Sequence, residues 1–485
     1  MYSIRFKAIQ RVLGALIGMS SVIALPPIAI AIALDESTTP AFVESFLLSA
    51  ILGGALWFPV RRIDYQLRLR DGFFIVTATW CLVSLAAAIP FVSGPPHLSY
   101  VDAVFEATSG ITTTGATVII GLDALPKSML FYRQSLNFIG GMGIVILAVA
   151  ILPMLKIGGT QLFRAESTGP TKDTKLTPRV AETAKALWIV YLVINVICAV
   201  AFWLGGMSLF DAICHAMSTV ATGGFSTHDA SFGYWDSWLL DAIASLFMLI
   251  GGISFGLHYM AWRRAEVGLY FRDSETRAFL RITLGAALLI MLLLWLGGTY
   301  DNPGTALSHA LFQVVSCITT TGYSTSGFDG WATPSPVMLV FLAIIGGCSG
   351  STAGGIKVAR VLMFLRQGLR EVRQLVHPKG QFLVKMGGKR VSERVVLSVG
   401  GFMALYTLCF GTLILILNAT GLDFRSSVGA VVATMGNLGP GLGETSANFI
   451  AVNDFGTWLC TFAMILGRLE VVTVLVLLSP TFWRD

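Results

Sequence analysis

The chain has 485 residues, of which 55% are hydrophobic and only 12% charged, about half the charged share of an ordinary soluble domain. With a mean hydropathy of +0.75, this excludes a soluble globular protein and predicts an all-α polytopic membrane protein. The net charge of +6 calls for no nucleic-acid partner, because almost all of the basic residues fall on one predicted side of the membrane.

In chain order, the first apolar stretch covers residues 9–34. It is too long for a signal peptide and no small-residue cleavage site follows, so it is expected to span. A second span covers 41–60 and ends in a basic stretch with Arg61, Arg62, Arg68 and Arg70. One unit then recurs four times: a spanning helix, a short half-apolar segment, a Thr/Gly strip and a second spanning helix. In the first copy these parts are 73–92, 101–111, a strip ending at Gly115, and 129–155. In the second they are 186–204, 209–220, a strip at Gly223, and 239–262. In the third they are 279–296, 306–318, a strip at Gly322, and 336–365. In the fourth they are 395–417, 424–436, a strip at Gly439, and 455–478. This divides the chain into an N-terminal helix pair, 1–70, and four pore repeats, 71–165, 166–264, 265–374 and 375–485. The inner connections are too short for a soluble domain.

The short segments cannot cross a hydrocarbon core that takes about 20 helical residues. They are expected to be re-entrant half-helices that end at the strips. Irregular backbone at membrane depth is tolerated only where protein or a watery cavity covers it. The strips repeat closely. Gly110-Ile111-Thr112-Thr113-Thr114-Gly115-Ala116 matches Cys317-Ile318-Thr319-Thr320-Thr321-Gly322-Tyr323. Thr219-Val220-Ala221-Thr222-Gly223-Gly224-Phe225 and Asn437-Leu438-Gly439-Pro440-Gly441 are looser copies. A glycine lets extended backbone turn its carbonyls toward one axis, and a ring of carbonyls replaces the water shell of a cation. Aligned on their glycines, the candidate ion-binding residues are Thr113, Thr114 and Gly115; Ala221, Thr222 and Gly223; Thr320, Thr321 and Gly322; and Asn437, Leu438 and Gly439.

Two further features lie in the return helices. Residues 346–355 put Gly346, Gly347, Ser349, Gly350, Ser351, Gly354 and Gly355 inside an apolar helix, where each glycine costs about 1 kcal/mol against alanine. Such a run suits plain close packing, or a movable loop. Arg468 and Glu470 interrupt the last apolar span. They read either as a helix-end ion pair or as functional charge within the membrane.

Charge sets the orientation. With both termini inside, only Lys127, Arg133 and Arg425 fall near the outside, a strong positive-inside asymmetry. Asp102, Glu106, Asp123, Asp211, Asp229, Asp236, Asp241, Asp301, Asp329, Asp423 and Glu444 gather on the outer side. The outer face should concentrate cations, and the basic inner face should meet anionic membrane lipid or an acidic partner. The 7 cysteines show no C-x-x-C and read as small packing residues. No zinc spacing, nucleotide loop or catalytic constellation occurs, so no enzyme activity and no cofactor in this chain are expected.

The strips resemble the selectivity filters of the TrkH/KtrB/HKT superfamily of potassium transporters. Gly140-Gly141-Met142-Gly143-Ile144, the run Gly346-Gly347-Cys348-Ser349-Gly350-Ser351-Thr352-Ala353-Gly354-Gly355-Ile356-Lys357, Asn437-Leu438-Gly439-Pro440-Gly441-Leu442-Gly443 and Gly467-Arg468-Leu469-Glu470 look like its TrkH branch. The extra N-terminal helix pair points the same way. Ala353, Thr222 and Asn437-Leu438 depart from the usual pattern without removing a strip glycine. The resemblance implies K⁺ as the transported ion, bound at the strip residues. It also implies a gate formed by 346–355 with Arg468, a TrkA-like cytoplasmic nucleotide-binding regulator, a homodimer, and a place in the bacterial inner membrane. A secondary transporter coupling K⁺ or another cation to H⁺ or Na⁺ is the competing reading.

Overall fold

The structure, a computed structural model, describes residues 6–62, 69–154, 180–332 and 334–483. It is a helical membrane protein. The described residues form strands only in a two-residue hairpin, Lys385–Met386 against Lys389–Arg390. Among the described residues, six helices are long and apolar enough to cross a membrane, and eight if two sharply bent pairs each count as one span. The N-terminal pair is Phe6–Ala33 and Thr39–Val60. Gly14 and Gly53 let the two helices touch backbone to backbone: a Cβ on Gly53 would lie 2.3 Å from the Gly18 nitrogen. Small residues serve this purpose in lipid, where packing rather than water exclusion joins helices.

The repeated unit is present in all four predicted places. Its short helices are Tyr100–Ile111, Leu209–Val220, Pro303–Ile318 and Phe424–Met435. Each begins on a capping side chain. Ser99, Ser208, Asn302 and Asp423 accept from the amides of Asp102, Asp211, Gly304 and Arg425 respectively, which satisfies otherwise orphaned donors. The helix ending at Val220 matches its expected bounds, and the others differ by a few residues.

The return helices differ from expectation. Only the first, Lys127–Met154, is continuous. The second, expected as one helix over 239–262, is Trp238–Gly252 followed by Phe255–Arg264, bent by 97°. Gly251 and Gly252 there leave room for the side chains of Thr222 and Thr319. The fourth, expected as one helix over 455–478, bends by 115° between Arg468 and Glu470. The third breaks for longest: Ser335–Ile345 ends at Gly346, and Val358–Val376 resumes after Lys357.

Candidate functional site: a ring of four strips above a packed loop

Each short helix ends in the same backbone device. Thr113 N donates to Gly110 O and Thr114 N to Ser109 O. Thr222 N donates to Thr219 O and Gly223 N to Ser218 O. Thr320 pairs with Cys317 and Thr321 with Ser316; Asn437 pairs with Thr434 and Leu438 with Ala433. These are the two reverse bonds of a Schellman motif, whose left-handed residue is usually glycine. Here that residue is Thr113, Thr222, Thr320 or Asn437, with φ of 51°, 53°, 52° and 54°. A left-handed non-glycine costs roughly 1–2 kcal/mol. Four at equivalent places mark a strained, shaped site.

Two residues further on, the backbone is left-handed again at Gly115, Gly224, Gly322 and Gly439. This corrects the motif alignment. Gly223 was set opposite Gly115, Gly322 and Gly439, but the backbone sets Gly224 there. Gly223 instead takes the place of Thr114, Thr321 and Leu438, and Ala221 caps its helix as Thr112, Thr319 and Gly436 do. The Gly223-Gly224 doublet made both registers compatible with the sequence. Packing explains the smaller residue: a Cβ on Gly223 would lie 2.5 Å from the Asn137 side chain, which donates to Ser218 Oγ at 3.0 Å.

The four glycines close a ring. A Cβ on Gly115 would lie 2.3 Å from Gly223 O, one on Gly224 1.9 Å from Thr321 O, one on Gly322 1.9 Å from Leu438 O, and one on Gly439 2.8 Å from Thr114 O. Each strip therefore abuts the next in chain order, and the fourth abuts the first. Only glycine fits such an approach at that φ. Asn437 Nδ2 donates to Thr114 Oγ1 at 2.9 Å, so the asparagine that departs from the Thr-Thr pattern joins the fourth strip to the first.

The broken segment of the third return helix packs against the strips. Gly354 N donates to Thr320 Oγ1 at 2.6 Å. Thr352 Oγ1 donates to Val220 O at 2.9 Å or Gly251 O at 3.1 Å. A Cβ on Gly354 would lie 2.5 Å from Gly436 O. The loop is also held laterally: Cys348 N donates to Gly252 O, and Ser349 N to Glu275 Oε1 at 2.6 Å. Gly346, Gly347, Ser351 and Gly355 thus pack within the same loop beside the strips, while Gly350 lies at its exposed end.

Arg468 is buried. Its guanidinium donates to Thr352 O at 2.8 Å and to Gly140 O at 3.1 Å, bridging the loop to the first return helix. The reading of Arg468 and Glu470 as an ion pair is corrected, because Glu470 accepts from Arg360 Nη2 at 2.6 Å. Lys357 Nζ donates to Ala353 O, so two cationic groups cover consecutive loop carbonyls. Glu106 and Arg133, expected among the outer charges, are instead buried and paired at 2.7 Å. Sequence reasoning did not single out Asn137, Thr352, Lys357 or Arg360. Lys357 closes the quoted Gly/Ser run, but a lysine at a helix restart carries no distinctive signal.

Two of the other outer acidic residues link the first strip's outer loop to the second. Asp229 accepts from the amides of Gly121 and Leu122, and His228 pairs with Asp123. That hydrogen bond holds the Asp123 carboxyl below its ordinary value. The seven cysteines are free. Among the described residues no cluster of three or more His, Cys, Asp or Glu could hold a metal.

A family model described as TrkH, cation transport protein, matches residues 38–484. The chain is 49% identical to the Trk system potassium uptake protein TrkH of Vibrio parahaemolyticus over 484 residues, covering 99% of this chain and 100% of that protein. It is 45% identical to the protein of that name from Escherichia coli K12, covering 99% and 100%, and 35% identical to Trk system potassium uptake protein TrkI of Halomonas elongata, covering 99% and 98%. The crystal structure of the Vibrio parahaemolyticus potassium transporter TrkH superposes with a TM-score of 0.91 at 46% identity, covering 99% of this chain and 100% of that one. Together with the ring of strips, these likenesses establish that the chain belongs to the TrkH family of cation transport proteins.

Proposed function

We propose that this protein takes up K⁺ across the bacterial inner membrane through one pore on the axis of the four strips. The observation that carries the reading is the closed ring, in which each strip glycine faces the carbonyl of the neighbouring strip. In this reading the ion is held by backbone carbonyls of Thr113, Thr114 and Gly115; of Thr222, Gly223 and Gly224; of Thr320, Thr321 and Gly322; and of Asn437, Leu438 and Gly439. Carbonyl rings replace a hydration shell. The C-terminal ends of four short helices add partial negative charge at the same place.

The loop over 346–355 with Arg468 is the gate of this pore. Its cationic groups sit beneath the ring, where a guanidinium stays charged and opposes cation passage most where water is scarce. A TrkA-like regulator that binds nucleotide would act on the basic cytoplasmic face, in a homodimer whose termini are both inside. Growth rescue of a potassium-uptake-deficient bacterium tests uptake. Tracer flux into liposomes tests the mechanism: flux that requires a fixed ratio of H⁺ or Na⁺ to K⁺ would favour a coupled transporter over a gated pore.

A further inference from the structure

The same turn of each short helix, counted back from Ile111, Val220, Ile318 and Met435, carries Glu106, His215, Gln313 and Ala430. The three polar side chains are fully buried, and each reaches the limb of backbone that leaves its own strip. Glu106 Oε2 accepts from Thr117 Oγ1 at 2.9 Å and from Val118 N at 3.1 Å. His215 Nε2 bonds Ser226 Oγ at 3.0 Å. Gln313 Nε2 donates to Tyr323 O at 3.4 Å. The fourth limb folds on itself instead, with Gly441 N donating to Thr445 O.

Only the first of these anchors is a carboxylate, and its partner extends its reach. Arg133, from the first return helix, donates to Glu106 through Nε at 2.8 Å and lies 2.7 Å away through Nη2. Its other contacts cross to the second strip. Nη1 donates to Ser226 O at 3.2 Å, and the guanidinium lies 4.1 Å from the centre of the Phe225 ring. Phe225 directly follows Gly224. Nη2 also donates to Thr117 Oγ1 at 3.2 Å. One buried ion pair therefore grips the outgoing limbs of both strips.

Each of the other joints has its own, different tie. Tyr323 OH reaches His215 O at 3.3 Å and Phe225 O at 3.4 Å, joining strips two and three. Asp329 accepts from Gly443 N at 3.0 Å and from Arg425 at 2.7 Å, joining three and four. Asn437 joins four and one. The first joint is the one in which both partners are charged and fully buried. Charge-assisted bonds are the stronger and more directional kind, and a buried pair does not separate without leaving an uncompensated charge.

We propose that Glu106 and Arg133 are a positioning pair that fixes the spacing of the first and second strips, and through it the discrimination between K⁺ and Na⁺. Resting on the filter reading above, the proposal adds which side chains hold the carbonyls in place. Neither side chain contacts the ion. Their effect runs through Thr117, Val118, Phe225 and Ser226.

The test uses the full chain in liposomes and reads the inhibition of Rb⁺ tracer uptake by K⁺ and by Na⁺. This ratio does not depend on how much protein folds, so a purely structural role leaves it unchanged. Glu106→Gln and Arg133→Lys should each lower the K⁺/Na⁺ preference about tenfold, the effect of one lost charge-assisted hydrogen bond. Thr117→Val, which removes a single hydroxyl from the network, should lower it by about threefold. Glu266→Gln breaks an exposed pair with Arg272 and should leave the ratio alone. If either charged variant fails to fold, Thr117→Val decides. Folded variants that keep the wild-type preference overturn the positioning role while leaving the filter intact. Wild-type protein that passes Na⁺ as readily as K⁺ overturns the filter reading, and the positioning role with it.

Discussion

Gly223 and Gly224 are adjacent, yet the ring gives them opposite roles, and substituting each by alanine separates the two registers. In Gly224→Ala the new Cβ starts 1.9 Å from Thr321 O, and ordinary contact begins at 3.4 Å. One backbone must therefore yield by the difference, about 1.5 Å. The left-handed φ of 74° adds roughly 1–2 kcal/mol, and the overpacking about 1–3 kcal/mol. The sum, about 2–5 kcal/mol, falls on the carbonyl ring itself. A hundredfold preference between two ions is worth only about 2.8 kcal/mol, so Gly224→Ala should abolish most of the selectivity. Gly223→Ala meets the Asn137 side chain instead. Moving that buried side chain off Ser218 costs about 1–3 kcal/mol, and the strain falls on the helix behind the strip instead of on the carbonyl ring. Gly223→Ala should therefore lower the unfolding temperature slightly and keep most of the K⁺ preference, and Asn137→Ala in that background should cost little more. The assay is Rb⁺ tracer uptake in liposomes with competing Na⁺, alongside thermal unfolding in detergent. If Gly223→Ala erases the preference while Gly224→Ala keeps it, the backbone register is wrong and the motif alignment is right.

Deleting Gly350 to Gly354 should raise K⁺ flux and weaken its dependence on the regulator without changing selectivity; tracer uptake with and without the regulator measures this, and folded deletions that conduct no faster would make the loop a packing element. Arg468→Ala should raise flux more weakly, and it leaves Glu470 with Arg360, so the fold should survive. Arg360→Ala removes that partner and should cost about 1.5–3 kcal/mol, read as an unfolding temperature below that of the wild type. The hydrogen bond from His228 holds Asp123 below its ordinary value. Its stabilisation is therefore present above the usual carboxylate range, near pH 4, and is lost as pH falls through the depressed value. Thermal unfolding followed from pH 7 to pH 3 should show this loss, and His228→Gln should remove it.

Much of the frame was legible because the signals were local. The short helices announced themselves by length and by the strips behind them. The bend after Gly252 was less visible, since the sequence through Ile253 and Ser254 stays apolar enough to read as one helix. The strip register failed for a narrower reason. A glycine doublet offers two alignments, and the choice depends on Asn137, which comes from a different helix. The left-handed Thr113, Thr222, Thr320 and Asn437 were legible only as a motif, because threonine is not where such a φ is expected. Partners distant in sequence were the least readable. Charge counting placed Glu106 and Arg133 with the outer charges, but it cannot detect that they face each other inside the protein. Proximity in sequence likewise paired Arg468 with Glu470, but Glu470 pairs with Arg360 from another helix.

The loop and the ring share hydrogen bonds, and this limits how the loop can move. Gly354 N bonds the hydroxyl of Thr320, one of the four left-handed residues. Thr352 is held through its hydroxyl to the Val220 or Gly251 carbonyl and through its own carbonyl to Arg468. Each such bond nets about 1 kcal/mol, or about 1.5–3 kcal/mol where a charge takes part. In the gate reading proposed above, opening replaces all of them with water, which a conducting cavity supplies and a closed one does not. On that reading the closed state keeps its polar groups satisfied by the strips, and the open state by the water that enters with the ion. Small residues make this exchange possible. At Gly354 even one methyl group would meet Gly436 O at 2.5 Å, so a bulkier loop could not seat against the ring at all. The Gly/Ser composition is therefore a requirement of this packed fit. A substitution such as Gly354→Ala should act on flux by unseating the loop, before it acts on the strips.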